Sequence, residues 1–386
     1  MKPVILSPGV ADNRPSATLY YGQDVRDTLR TLPEASVHTV CTSPPYFGLR
    51  DYGTGDKQIG LETTPDEFVA ALVDVFREVK RVLRDDGTLW LNLGDTYAGG
   101  GGFSPNSPSN LNGSKQVTSK GSIRGAIGVP NGLKPKDLIG IPWRVAFALQ
   151  ADGWYLRQDV VWAKPNPMPE SVTDRCTKAH EYVFLFAHPD SGGKYYYDAE
   201  AVKEPYNTAD PSNASYRKNG KSDSRKKHAT YCPACDGSGN GSGGETDENG
   251  YNCQVCGGTG TADIGMSKPA VKNGGFWKPE GAGRNKRSVW TVNVTPYQGA
   301  HFATWPPELV RPMVLAGCPV DGTVLDPFSG SGTTGMVALQ EGRNYIGCDI
   351  NPDYLPLAER RVREEPAPVD TGAQDEGDAL DLFSHG

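Results

Sequence analysis

The chain has 386 residues, 37% hydrophobic and 22% charged, which suits one large α/β domain carrying a smaller module, or two ordinary domains, and excludes a peptide hormone or a bare DNA-binding motif. Glycine and proline number 47 and 31, about a fifth of the chain, so a packed core must share it with long loops. Nowhere do 18 apolar residues run together, and the start MKPVILSPGV is too short and too broken by proline for a signal segment, so a soluble cytoplasmic protein with no membrane partner is expected, while the net charge of -7 argues at first against nucleic acid.

In chain order, residues 1–18 lack periodicity and read as a flexible N-terminus. ATLYYGQD predicts a strand and turn, followed by a short helix over 25–32. SVHTVCTSPPY is rich in β-branched residues until two prolines stop it, which predicts a strand ending in an exposed turn. Apolar residues at helical spacing (Phe68, Leu72, Val75, Phe76, Val79, Leu83), behind Thr63 or Thr64 and Pro65, predict a helix, and GTLWLNLGD a buried strand. Together they form one βαβ unit of a parallel sheet. Residues 98–134 hold nine glycines and six serines and read as a mobile loop. A helix over 137–151 and a strand pair, WYLRQDVVWAKPN with EYVFLFAH, come next. A polar stretch to about Arg287 reads as an inserted module. HFATWPPELVRPMVLAG then predicts a loop and helix, TVLDPF a strand, GTTGMVALQEG a helix, NYIGCDI a strand and PDYLPLAERRV a closing helix. After Arg363 the tail carries seven acids and no Lys or Arg, so residues 1–363 are neutral overall.

Two turns carry chemistry. In DPFSGSGTTG, Gly330, Gly332 and Gly335 fit G-x-G-x-x-G between strand and helix, and Asp349 ends the next strand, where a carboxylate takes ribose hydroxyls; this points to a nucleotide-like ligand. Asp326 at the strand tip would repel a pyrophosphate and suits an ammonium, and no lysine follows the glycines as a P-loop requires. An NAD oxidoreductase is the rival reading of this turn.

The second is Thr42-Ser43-Pro44-Pro45-Tyr46. The Ser43 hydroxyl and the Pro44 carbonyl are two acceptors able to bind the N–H groups of an exocyclic amine and hold its nitrogen closer to tetrahedral, freeing the lone pair for attack on a sulfonium methyl. Pro44 and Pro45 fix where those acceptors point. Tyr46, with Phe47 beside it, suits stacking on a base drawn out of a duplex.

With both motifs in one chain, the sequence resembles the S-adenosyl-L-methionine-dependent amino-methyltransferases of DNA, the N4-cytosine/N6-adenine family. TSPPY resembles the catalytic motif and DPFSGSGTT the cofactor motif, and their order resembles the β-type permutation. Gly22-Gln23-Asp24, VVWAKPNPMP and HFATWPPELV match more loosely. The resemblance covers about 19–190 and 288–363 and implies a Rossmann-like α/β fold: a mixed, mostly parallel sheet with helices on both faces and an inserted target-recognition module. It implies a catalytic half at 19–190, an insertion at 191–287, a cofactor half at 288–363 and an acidic disordered tail at 364–386. It implies catalytic roles for Ser43, Pro44, Pro45 and Tyr46, and cofactor contacts from Asp24, Thr42, Phe302, Pro306, Asp326, Phe328, Gly330, Gly332, Thr333 and Asp349. Serine in place of the family's aspartate at position 43 favours cytosine N4, with adenine N6 open. Double-stranded DNA is the implied partner, with a homodimer and a cognate restriction endonuclease as further ones. A cytosine C5 enzyme is disfavoured, because ring attack needs a cysteine nucleophile and Cys41 is still inside the strand.

Inside the insertion, Cys232 with Cys235 and Cys253 with Cys256 form two C-x2-C pairs at the spacing of a four-cysteine zinc (Zn2+) site. Each pair runs into glycines, resembling the zinc knuckles of DnaJ-type chaperones; four thiolates leave no open position, so this zinc is structural. Nearby Arg217, Lys218, Lys221, Arg225, Lys226 and Lys227 face the single acid Asp223, a patch suited to phosphate. A non-enzymatic zinc protein that binds DNA is the rival from another class.

Overall fold

The computed structural model describes residues 3–6, 15–48, 57–99, 129–130, 132–205, 283–294 and 305–363. Most of the glycine- and serine-rich loop, the four paired cysteines, the basic patch, Phe302 and the acidic tail lie outside the described residues. The chain divides into two compact units, Lys203–Asn285 and the remainder.

In the larger unit the strands are β1 (Val4–Leu6), β2 (Ala17–Tyr21), β3 (Val37–Thr42), β4 (Leu83–Leu93), β5 (Tyr155–Ala163), β6 (His180–Ala187), β7 (Val289–Thr291), β8 (Thr323–Asp326) and β9 (Asn344–Asp349). They form one sheet in the order β1-β2-β9-β8-β3-β4-β6-β5-β7. The pairs from β2 to β4 are parallel, and β6 runs antiparallel to both its neighbours. The helices are α1 (Val25–Thr31), α2 (Pro65–Val82), α3 (Ile141–Ala151), α4 (Pro307–Gly317), α5 (Thr333–Gln340) and α6 (Leu355–Arg363). Among the described residues, no helix is long and apolar enough to cross a membrane.

The central strands are buried on both faces, and period-two alternation sends their side chains to two cores. Leu89, Leu91 and Leu93 of β4 and Phe184 and Phe186 of β6 pack with α1, α2 and α3. Trp90, Val183 and Leu185 point the other way, into the core shared with α4, α5 and α6. The result is a three-layer sandwich. α2 opens with a capping box: Thr64 accepts from the Glu67 amide at 3.2 Å, and the Glu67 carboxylate accepts from the Thr64 amide at 3.0 Å.

Four expectations change. The N-terminus is not frayed throughout, because Val4–Leu6 pairs antiparallel with β2. The third helix starts at Ile141, not at residue 137: Gly140 is left-handed at φ 79°, and Asp95, in the loop after β4, accepts from the amides of Gly140 and Ile141 at 3.0 Å each, satisfying the helix start. Where the sequence reads as insertion up to Arg287, Val289–Thr291 directly after it adds an unforeseen edge strand beside β5. At the other end, Tyr195 and Val202 pack into the core, so the compact insertion starts at Lys203 and not at 191. Within that smaller unit Glu204 and Arg284 exchange backbone hydrogen bonds of 2.9 and 2.8 Å and an ion pair of 3.2 Å.

Candidate active site

β8 leads through α5 to β9 on one side, and β3 through α2 to β4 on the other, so the strand order reverses between β8 and β3. In open sheets of this kind the crevice at the carboxyl ends of such a pair receives the ligand. Both predicted turns stand there. Thr42 ends β3 and donates its hydroxyl to Asp326 Oδ1 at the end of β8, 2.7 Å away. Asp326, 2% exposed, also accepts from the Thr334 hydroxyl (2.6 Å) and the Phe328 amide (3.1 Å). Burial pushes its carboxyl up to about 6, against these bonds.

One strand further, Asp349 accepts from the Gly330 amide on Oδ2 and the Asn351 amide on Oδ1, both at 2.8 Å. It is half-buried, with lone pairs left for a ligand, and crowding by protein raises its carboxyl to about 6 as well. Gly330 and Gly332 have φ of 51° and 81°, and a Cβ on Gly332 would lie 3.1 Å from the Ala358 backbone, so the turn needs glycine there. Beneath it, Ser329 Oγ lies 2.8 Å from Tyr21 Oη and 2.7 Å from Tyr345 Oη, and Tyr21 also donates to the Gly330 carbonyl. Arg361 of α6 donates to Ser331 at 2.9 Å.

Asp24 follows β2 on the same edge. It caps α1 through the Arg26 amide and pairs with the Arg26 guanidinium at 2.6 Å; burial opposes its charge, but these bonds outweigh it and hold the carboxyl below its ordinary range. Thr333 begins α5, Phe328 is half-buried in the turn, and Pro306 is buried ahead of α4.

At the proline turn Pro44 is buried, while Ser43, Pro45 and Tyr46 are half-buried. Ser43 donates to Asn92 Oδ1 at 3.1 Å, and Tyr46 to Glu181 Oε2 at 2.7 Å. A Cβ on Gly94 would fall 2.4 Å from the Tyr46 ring, so glycine makes room for that ring. Phe47 is not available for stacking: it is 2% exposed and packs on Phe68 with centroids 5.6 Å apart. Asn92, Glu181, Lys164, Thr334 and Tyr21 escaped the sequence reading. Asn92 left a trace, as a lone amide inside the apolar run LWLNLG.

Among the described residues Asp85, His188 and Asp190 also come together. His188 is committed elsewhere, Nε2 to the Lys80 carbonyl and Nδ1 as acceptor for the Asp190 amide, which leaves no ring lone pair for a metal.

A doubly wound sheet with a glycine turn, a carboxylate at the next strand end and a proline-bounded turn across one switch point defines an α/β protein of the Rossmann-like class. The sequence pattern of the family described as DNA methylase matches residues 37–360, and the chain belongs to that family. It is 43% identical over 354 residues to the type II methyltransferase M.Cfr9I of Citrobacter freundii, covering 92% of this chain and 90% of that protein. It is 40% identical over 340 residues to M.SmaI of Serratia marcescens, 88% of each chain. Its fold is similar to that of the cytosine-N4-specific PvuII DNA methyltransferase, with a TM-score of 0.51 at 16% identity over 92% of this chain and 90% of that one.

Proposed function

We propose that the protein is a site-specific DNA methyltransferase that moves a methyl group from S-adenosyl-L-methionine to N4 of a cytosine flipped out of double-stranded DNA. The observation that carries the reading is the Thr42–Asp326 hydrogen bond, which ties the acceptor turn to the cofactor turn across the switch point. The glycine cradle and the spare lone pairs of Asp349 fit the nucleoside part of that cofactor, and the buried carboxylate of Asp326 would hold its ammonium end. When bound, it supplies an electrophilic methyl carbon. Ser43 Oγ and the Pro44 carbonyl accept from the amino N–H groups and keep the nitrogen lone pair aimed, while Tyr46 supports the base. As the new N–C bond forms and the S–CH3 bond breaks, the leaving sulfur would depart as a neutral thioether, and the nitrogen would shed one proton to water past these acceptors.

In the insertion, zinc on Cys232, Cys235, Cys253 and Cys256 orders a polar segment, and the basic run from Arg217 to Lys227 holds the DNA backbone. A homodimer and a partner restriction endonuclease complete the reading. DNA from cells expressing the protein, hydrolysed and analysed by mass spectrometry, should contain N4-methylcytosine. N6-methyladenine instead would move the target to adenine, and neither base would remove the reading.

A further inference from the structure

Behind Ser43 runs a chain of side chains from three strands. Lys164, directly after β5, pairs with Glu181 Oε1 of β6 and lies 4.1 Å from the centre of the Trp162 ring. Glu181 Oε2 accepts from Tyr46 Oη (2.7 Å) and Asn92 Nδ2 (3.3 Å). Asn92 of β4, 1% exposed, also donates from Nδ2 to the Tyr182 carbonyl at 3.1 Å, and its Oδ1 accepts from Ser43 at 3.1 Å.

Donor and acceptor chemistry orients the links: Tyr46 Oη also lies 3.1 Å from Asn92 Oδ1, but its one proton goes to Glu181 at the shorter 2.7 Å, which leaves Oδ1 to Ser43. An ammonium only donates, so the carboxylate beside it only accepts. A backbone carbonyl also only accepts, so the Asn92 amide turns Nδ2 toward Tyr182 and Glu181, and Oδ1 toward Ser43. A serine hydroxyl has one proton. Given to Asn92, it leaves Ser43 nothing but lone pairs for a substrate.

Resting on the methyltransferase reading, we infer that Lys164, Glu181 and Asn92 are positioning residues forming a polarity relay that holds Ser43 as an acceptor, so that the site selects a base bringing an amino group over one bringing a carbonyl at the same place. Cytosine satisfies Ser43; uracil sets oxygen against oxygen. A site with fixed hydrogen-bond polarity rejects the mismatched group far more strongly than a flexible one.

The test uses the full-length protein and the duplex it methylates, with cytosine or uracil at the target position. Binding of each is compared for wild type, Glu181→Gln and Lys164→Met; the easier unpairing of uracil is common to all proteins and cancels. Both variants should lose about tenfold of the cytosine-over-uracil preference, the worth of one charge-assisted hydrogen bond. Their kcat should fall while KM for S-adenosyl-L-methionine stays within twofold, and Lys164→Arg should recover most of what Lys164→Met loses. A relay that only stiffens the turn would lower stability and rate with the preference unchanged, and that result in both variants overturns the inference. A wild type that methylates no duplex overturns the underlying reading, and the inference with it.

Discussion

Asp326 and Asp349 sit with their carboxyls raised to about 6 chiefly by burial, the one opposed by two threonine hydroxyls and the Phe328 amide, the other by two backbone amides. A ligand that brings an ammonium and ribose hydroxyls favours the ionised forms, so protonation competes with binding. The affinity for S-adenosyl-L-methionine should therefore be flat above about pH 7 and weaken below 6, by about tenfold per pH unit for each carboxyl involved. Calorimetric titration between pH 5 and 8 checks this, and Asp349→Asn should flatten part of the slope. Across the switch point Ser43→Ala removes an acceptor and spares the cradle. Single-turnover methyl transfer should slow by around 10²-fold with cofactor affinity nearly intact.

At the scale of elements, α5 sets two effects against each other at Gly335. Alanine is the better helix former by about 1 kcal/mol, so an isolated helix would gain from Gly335→Ala. Here the new Cβ would fall 2.5 Å from the Tyr345 ring, whose hydroxyl bonds to Ser329 under the glycine turn. Overpacking of this kind costs about 1–3 kcal/mol and outweighs propensity. Urea denaturation should show a less stable variant, and cofactor affinity should drop with it. The same contrast explains which elements were legible. α2 announces itself, because its apolar residues recur at helical spacing behind a threonine and a proline. β1 and β7 are three residues each, too short for a pattern, and exist because the sheet edges offer them partners. The start of α3 is marked locally by Pro142 in its first turn behind the left-handed Gly140, while its amides are satisfied by Asp95, two residues past the end of β4 and invisible to a local reading.

For the molecule as a whole, each functional turn was legible because it is contiguous in the chain, and what escaped was assembled by topology. Asn92 and Glu181 are 89 residues apart and meet only because β4 and β6 are neighbours in the sheet. The insertion poses the opposite problem: its chemistry is plain in sequence, with two C-x2-C pairs and six basic residues between 217 and 227. A polar, glycine-rich segment cannot bury enough apolar surface to fold unaided, so a structural metal is the natural source of order, and purified protein should carry about one zinc per chain. Cysteine-to-serine changes at 232 and 253 should release that zinc. If the module reads DNA, the variant keeps its affinity for S-adenosyl-L-methionine, which rests on the glycine turn of the larger unit, and loses sequence-specific methylation. The basic residues predict a second signature, because phosphate contacts release counterions. Replacing Arg225, Lys226 and Lys227 with alanine should weaken binding to all duplexes alike and flatten the dependence of log Kd on log salt by up to about one unit per contact removed. If the cysteine variant retains full sequence specificity and changes only in melting temperature, the knuckle is a stiffener, and target reading belongs to other segments of the chain.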